Sequence, residues 1–187
     1  MKLGFFGGSF NPPTIAHYNL IKQALAEYDF DKVYFVPMND YYKKSGLIDM
    51  EKRIDMLELL CKNDSKIEVS DIEREMNYQS TAIDAFRLIL DKFSGNEIVF
   101  FMGEDNFSRM STWKDYEELM KFNYIVFQRN ENKILDINFK NVIYMKNKEN
   151  LNISSTVIRN KLQKNECIDD LVARDVKDYI LRNKLYF

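Results

Sequence analysis

The amino-acid sequence predicts an α/β protein: a doubly wound parallel sheet with a further helical portion toward the C-terminal end. Three observations carry that prediction. Short runs that are apolar along their whole length alternate with stretches of helical repeat, the pattern of strands buried on both faces beneath helices. The first run leads into a glycine pair and then a helix, and open sheets of this kind bind ligands beyond the carboxyl ends of their strands, at the switch point. No internal repeat or long linker divides the 187 residues, which are therefore read as one domain, 1–187.

The elements follow in order. "LGFF" at 3–6 reads as a buried strand closed by a turn at Gly7 and Gly8. Leu20, Ile21, Ala24, Leu25 and Tyr28 mark one face of a helix, and "KVYFVP" is a β-branched and aromatic strand stopped by Pro37. Residues 39–49 are polar and read as a loop; 50–61 is helical, with Ile54, Leu57 and Cys61 on one side. "KIEVS" is a short strand, and Ala82, Ala85, Phe86, Ile89, Leu90 and Phe93 form the clearest helical stripe. "EIVFFMG", "NYIVFQR" and "NVIYM" supply the last three strands, with polar, loop-like segments at 130–141 and 146–152. Two helices end the chain, one beginning near Ser155 and one over 170–182.

Composition narrows the function classes. With 45% hydrophobic residues the chain can bury a core without disulfides or metals. A net charge of −2, from 27 basic and 29 acidic residues, argues against broad nucleic-acid or membrane-surface binding, though not against a local basic pocket. Cys61 and Cys167 match no CxxC or zinc spacing and read as two buried free thiols. No signal peptide is read before the first strand, and charges interrupt every apolar run short of membrane length. The expectation is a soluble protein of a reducing compartment, the cytoplasm by default; a homo-oligomer is neither required nor excluded.

The only histidine of the chain, His17, ends the stretch "GGSFNPPTIAH". Gly7 and Gly8 carry no side chain where a backbone could approach a phosphate closely, Pro12 and Pro13 stiffen the loop, and Thr14 can cap the helix that follows, placing His17 in its first turn. Helix N-termini suit anions, and an imidazole there can donate to a phosphate oxygen whose charge grows as a phosphoanhydride breaks. Loss of one such donor costs on the order of 10²–10³ in rate. The plainer alternative is a partly exposed helix residue beside an ordinary strand-to-helix turn. The stretch lacks both G-x-G-x-x-G spacing and the Gly-Lys-Ser/Thr of a Walker loop.

A second candidate anion site is "NISSTVIRNKL". Ser154 or Ser155 can cap a helix there, and Val157 and Ile158 occupy the places where a capping box would need Glu or Gln. Amide donors are thereby left for water or a ligand, with Arg159 one turn in and able to grip phosphate. Alone this is equally a serine-capped surface helix; with the first stretch, two helix N-termini plus His17 and Arg159 could bracket one polyphosphate.

Taken together, "GSFNPPTIAH", "GEDN" followed by "STW", "ISSTVIR" and the closing "VKDYILRNKLY" resemble the nicotinate/nicotinamide mononucleotide adenylyltransferases of the nucleotidyltransferase superfamily. "FVP", Lys44 and Arg53 in "EKRIDML" are smaller echoes, and the likeness runs from residue 3 to residue 186. The resemblance implies a Rossmann-like nucleotidyltransferase fold and an enzyme that transfers AMP from ATP, carried with Mg²⁺, to a pyridine mononucleotide in NAD biosynthesis, releasing pyrophosphate. No covalent enzyme intermediate and no metal ligands from protein side chains are implied.

Carried over position by position, Gly8, Ser9, Phe10, Thr14, His17, Gly103, Asp105, Ser155, Thr156 and Arg159 would bind ATP, Asp105 and Gly103 at a ribose. His17, Lys44 and Arg159 would serve catalysis by contacting phosphate. Trp113, Ala82 and Asp84 would hold the mononucleotide. The pattern departs from bacterial members at Thr14 and Ala16, which stand for His and Gly, at Lys43 for His, and at Thr81, Ala82 and Ala85 for Tyr, Thr and Thr. Two other readings stay open at this level: the same chemistry on another phosphorylated acceptor, or a nucleotide-binding protein without catalysis.

Overall fold

The computed structural model of the chain describes residues 1–128, 140–147 and 153–187. Its centre is a sheet of six parallel strands: β1 (Lys2–Gly8), β2 (Lys32–Pro37), β3 (Ile67–Val69), β4 (Glu97–Gly103), β5 (Asn123–Gln128) and β6 (Val142–Lys146). Their spatial order is β3-β2-β1-β4-β5-β6, so the winding reverses between β1 and β4 as in doubly wound dinucleotide-binding folds. The helices are α1 (Ile15–Glu27), α2 (Met50–Cys61), α3 (Ala82–Lys92), the short α4 (Glu104–Phe107) and α5 (Tyr116–Leu119), then α6 (Ser155–Gln163) and α7 (Arg174–Arg182).

The strands are apolar throughout because both faces are covered. Along β4 and β5 successive residues alternate between two cores: Val99, Phe101, Ile125 and Phe127 join Phe6, Ile21, Phe35 and Leu57 on one side. Ile98, Phe100, Tyr124 and Val126 join Phe5, Ile83, Ile89 and Leu119 on the other. That is the two-residue period of a strand read on both faces. Gly4 has a packing reason, since a Cβ there would lie 2.6 Å from Phe101 Cζ. A third apolar cluster, of Met56, Ile158, Leu162, Val176 and Ile180, seats α6 and α7 on α2.

The register shapes the site. Pairing of β1 with β2 runs from Leu3↔Lys32 through Gly8↔Pro37, but pairing of β1 with β4 stops at Phe6↔Phe101, while β4 stays paired with β5 as far as Gly103↔Phe127. Gly7 and Gly8 therefore part from Met102 and Gly103, and a crevice opens at the switch point.

All six expected strands are present, with corrections in detail. Gly7 and Gly8 belong to β1, paired with Val36 and Pro37, rather than to a turn after it. The last helix starts at Arg174, not at 170, because the Leu171 carbonyl accepts from the Ile15 N–H at 3.1 Å and the chain there docks against the start of α1. Cys61 is buried, its thiol pushed up to about 11 by desolvation, whereas Cys167 is exposed: the adjoining Ile168 takes the buried place. Of the segments read as loops, 130–139 and 148–152 lie outside the described residues. Among the described residues no helix is long and apolar enough to cross a membrane.

Candidate active site

Two cavities flank the parted ends of β1 and β4. The larger, of about 320 Å³, is lined by Gly8, Ser9, Phe10, Thr14, His17, Gly103 and Asp105 among others. The smaller, of about 130 Å³, is mainly apolar, with Ala82, Ala85, Phe86 and Trp113 along its wall. Gly7, Gly8 and Asn106 line both, so the two spaces adjoin across the end of β1. A Cβ built on Gly7 or on Gly103 would meet no atom within 4 Å; the room there faces the crevice, not the core.

His17 is placed by its own helix cap. Thr14 is the N-cap of α1 and His17 the third helical residue, and the two form a capping box. The Thr14 N–H donates to His17 Nδ1 at 3.0 Å, the Thr14 Oγ1 lies 2.8 Å from the same nitrogen, and the His17 N–H reaches Thr14 Oγ1 at 3.3 Å. A backbone amide can only donate, so Nδ1 is the acceptor and the ring proton resides on Nε2. Beneath the imidazole lies the Phe10 ring, edge-on at 5.1 Å. Phe10 itself is buried at φ +45°, a conformation a non-glycine residue keeps only when packing determines it, and here contacts with Phe6 and Phe35 do so.

Residues 9–13, between β1 and α1, gather four donors from three distant parts of the chain. Lys44 Nζ reaches Ser9 Oγ at 3.0 Å, and Arg53 Nη1 reaches the Ser9 carbonyl at 3.0 Å. The Arg159 Nη1 donates to the Asn11 carbonyl at 2.8 Å and Ser155 Oγ to the Pro12 carbonyl at 2.7 Å. The last two contacts fasten the first turn of α6 to the loop that precedes α1, so the starts of both helices stand on one segment. Ser154, not Ser155, caps α6, accepting from the Val157 N–H at 3.3 Å; Arg159 Nη2 donates to Thr156 Oγ1 at 3.3 Å.

Lys44, Arg53 and Arg159 concentrate positive charge here. Partial desolvation, with Arg159 and Arg53 adding to it, holds the Lys44 ammonium below the usual lysine range. Arg53 is fully buried and anchored to Asp40 Oδ1 at 2.9 Å and to the Ile48 carbonyl. Neither Lys44 nor Ser155, Thr156 or Arg159 borders the larger cavity; they ring the loop that does.

Of the three residues expected around a mononucleotide, Trp113 and Ala82 line the smaller cavity and Asp84 does not. The Asp84 carboxylate accepts from the Thr81 N–H and hydroxyl, at 2.9 and 2.7 Å. These bonds outweigh burial and hold it below the usual aspartate range. Its place is the start of α3. Sequence reasoning missed Glu73 and Tyr42, which line the same cavity, because their link is a buried network: Ser80 Oγ and the Asn39 N–H both donate to Glu73 Oε2. It also left Asn11 and Asn106 without roles, although both stand inside quoted motifs. Asn106 is steadied by Arg109 Nη2, 3.1 Å from its Oδ1.

A parallel sheet of this order, with a crevice at the switch point under a capped helix and an apolar pocket beside it, is the architecture of a nucleotide-binding α/β protein, and the relatives of the chain are nucleotidyltransferases. The model of the cytidylyltransferase-like family matches residues 5–161. Among curated proteins, a probable nicotinate-nucleotide adenylyltransferase of Fusobacterium nucleatum is 35% identical, covering 96% of this chain and 97% of the relative. One of Cytophaga hutchinsonii, of the same description, is 32% identical over 100% and 98%. The chain belongs to the nicotinate-nucleotide adenylyltransferase family within the cytidylyltransferase-like proteins. Its fold is also that of the Plasmodium falciparum nicotinic acid mononucleotide adenylyltransferase solved with NaAD, at a TM-score of 0.86, 23% identity and coverage of 99% and 97%.

Proposed function

We propose that the protein transfers AMP from ATP to nicotinate mononucleotide, forming the dinucleotide and releasing pyrophosphate, as a step of NAD biosynthesis. The observation that carries this reading is the adjacency of the two cavities across Gly7 and Gly8. Two substrates seated side by side can meet at one phosphorus. An oxygen of the acceptor 5′-phosphate attacks the α-phosphorus, the bond from that phosphorus to the α–β bridging oxygen breaks, and pyrophosphate leaves with the bond electrons. Such a displacement asks the protein for positioning and charge stabilisation rather than for a nucleophile.

ATP occupies the larger cavity. Gly8, Ser9 and Phe10 present backbone to it, Gly103 and Asp105 stand at its ribose, and the Nε2–H of His17 donates to a phosphate oxygen as charge builds. Lys44 and Arg159, with Ser155 and Thr156, offset the charge of the departing pyrophosphate. The mononucleotide takes the smaller cavity, its ring against Trp113, Ala82 and Ala85.

Nucleotidyltransferases of this family use ATP with a divalent metal. Mg²⁺ fits the site as part of its substrate: Lys44, Arg53 and Arg159, with the Ser155 hydroxyl, surround loop 9–13 and suit a metal-bound triphosphate. The ion would arrive with the triphosphate and would supply further neutralisation of phosphate charge.

Pyrophosphate release, measured across a panel of phosphorylated acceptors with ATP and CTP, tests the reading. Turnover with ATP and nicotinate mononucleotide is expected to exceed all other pairs. Turnover confined to a non-pyridine acceptor would replace the acceptor assigned here, and tight MgATP binding without release from any acceptor would make the chain a non-catalytic homologue.

A further inference from the structure

Tyr186, beyond α7, reaches the segment between β1 and α1. After α7 the backbone turns through Lys184 at φ +49° and Tyr186 at φ +70°, left-handed conformations that side-chain-bearing residues seldom adopt unless their surroundings demand it. Leu185 is buried in the α6–α7 core, and its N–H closes on the Ile180 carbonyl at 3.0 Å. This folding-back carries the Tyr186 hydroxyl to Asn11 Oδ1, at 2.9 Å, across 175 residues of chain.

Asn11 is buried at 1% exposure and joins two loops. Its Nδ2 donates to the Gly46 carbonyl at 2.7 Å, and its Oδ1 accepts from the Ile48 N–H at 3.3 Å. Those partners lie just beyond Lys44, in the loop that brings its ammonium to Ser9. The Asn11 carbonyl in turn receives Arg159. One residue thus joins three parts: its side chain holds the loop that bears Lys44, and its main-chain carbonyl, in the segment between β1 and α1, receives the guanidinium of α6. Of the two bonds to Oδ1, that from Tyr186 is the shorter. Burial raises the Tyr186 phenol far above its ordinary range, against the pull of the Arg159 and Arg53 guanidiniums, so the hydroxyl stays a donor at all working pH values.

We propose that Tyr186 is a positioning residue for ATP: its hydroxyl holds Asn11, and through Asn11 sets Lys44 and Arg159 where the triphosphate binds. The inference rests on the reading that loop 9–13 and these two cations receive the triphosphate. Tyr186 touches no reacting atom and acts only through Asn11.

The test is MgATP binding by calorimetry in the absence of acceptor, with melting curves alongside, for the parent, Tyr186→Phe and Tyr179→Phe. Tyr186→Phe keeps the ring and removes one hydroxyl. Loss of a buried neutral hydrogen bond corresponds to roughly a threefold to tenfold weakening, and that is the expected change in Kd for MgATP, with the Kd for nicotinate mononucleotide within twofold of the parent. Tyr179→Phe removes a comparable hydroxyl of α7, bonded to Asp55 Oδ2 at 2.6 Å rather than to Asn11. It is expected to lower the melting temperature and leave the MgATP Kd unchanged. An MgATP Kd within 1.5-fold of the parent in Tyr186→Phe would overturn the proposal, as would equal weakening in both variants. MgATP binding is readable whether or not nicotinate mononucleotide is the acceptor, so failure here and failure of the acceptor assignment are distinct results.

Discussion

The Thr14 backbone N–H donates to Nδ1 of His17 at 3.0 Å, which fixes the imidazole proton on Nε2. A helix cap thereby selects the tautomer with its donor on the ring's far side. The capping bond to Nδ1 comes from the main chain, so two substitutions separate capping from chemistry. His17→Ala is expected to lower kcat by roughly 10²-fold or more and stability by about 1 kcal/mol. Thr14→Ala retains the N–H and loses Oγ1; it should cost a similar amount of stability, about 1 kcal/mol, with kcat changed less than about fivefold. Steady-state kinetics and urea unfolding check both. A loss in kcat below about threefold for His17→Ala would remove the imidazole from the mechanism.

Gly7 offers a second separation. A Cβ there meets nothing within 4 Å, whereas one on Gly8 would lie 2.9 Å from the Phe10 ring. Gly7→Ala is therefore expected to fold with stability within about 0.5 kcal/mol of the parent. Its methyl projects into space bordering both cavities, and kcat/KM should fall at least tenfold for both substrates. Full activity in a well-folded Gly7→Ala would show that this space is not used by ligands.

These contrasts show what was readable in the residues. The strands were legible because each is apolar on both faces, and the candidate site between β1 and α1 because Gly7, Gly8, Thr14 and His17 are close in sequence. The start of α7 was misplaced because the Leu171 carbonyl is claimed by Ile15, far away in the chain. Cys167 reads as apolar by type, yet Ile168 fills the core beside it. The links of Asn39 to Glu73, of Tyr186 to Asn11 and of Arg53 to Ser9 span 34, 175 and 44 residues. No local repeat encodes such pairings, so these supports of the site appear only when the chain is folded.

Lys44 carries a pH signature. In the free enzyme its ammonium lies below the usual lysine range, through desolvation and the neighbouring Arg159 and Arg53. Bound triphosphate adds negative charge and raises it again. The alkaline limb of kcat/KM for ATP, which reports the free enzyme, should therefore fall at lower pH than the limb of kcat, which reports the complex. Lys44→Arg keeps a charge that does not titrate in this range and should remove the early limb; Lys44→Met should lower kcat/KM at neutral pH about tenfold. Identical limbs in the two parent profiles would dissociate Lys44 from ATP binding.

Glu73 links the smaller cavity to stability. It is 7% exposed, and burial lifts its carboxyl above the usual glutamate range, against the Asn39 N–H, the Ser80 hydroxyl and Arg53, which favour the charge. A carboxyl whose native pKa is raised binds its proton more tightly folded than unfolded. Stability therefore falls as pH rises from the ordinary glutamate value to the native one and is level, as far as this group is concerned, above that. Glu73→Gln keeps an oxygen for Asn39 and Ser80 and removes the charge. The variant should lose this descending component, so that its stability relative to the parent increases with pH across the window and is greatest at neutrality. Urea unfolding of both proteins between pH 4 and pH 8 measures the difference. A relative stability that stays constant or declines with pH would mean that the Asn39 and Ser80 bonds, rather than burial, govern the charge state of the cavity wall.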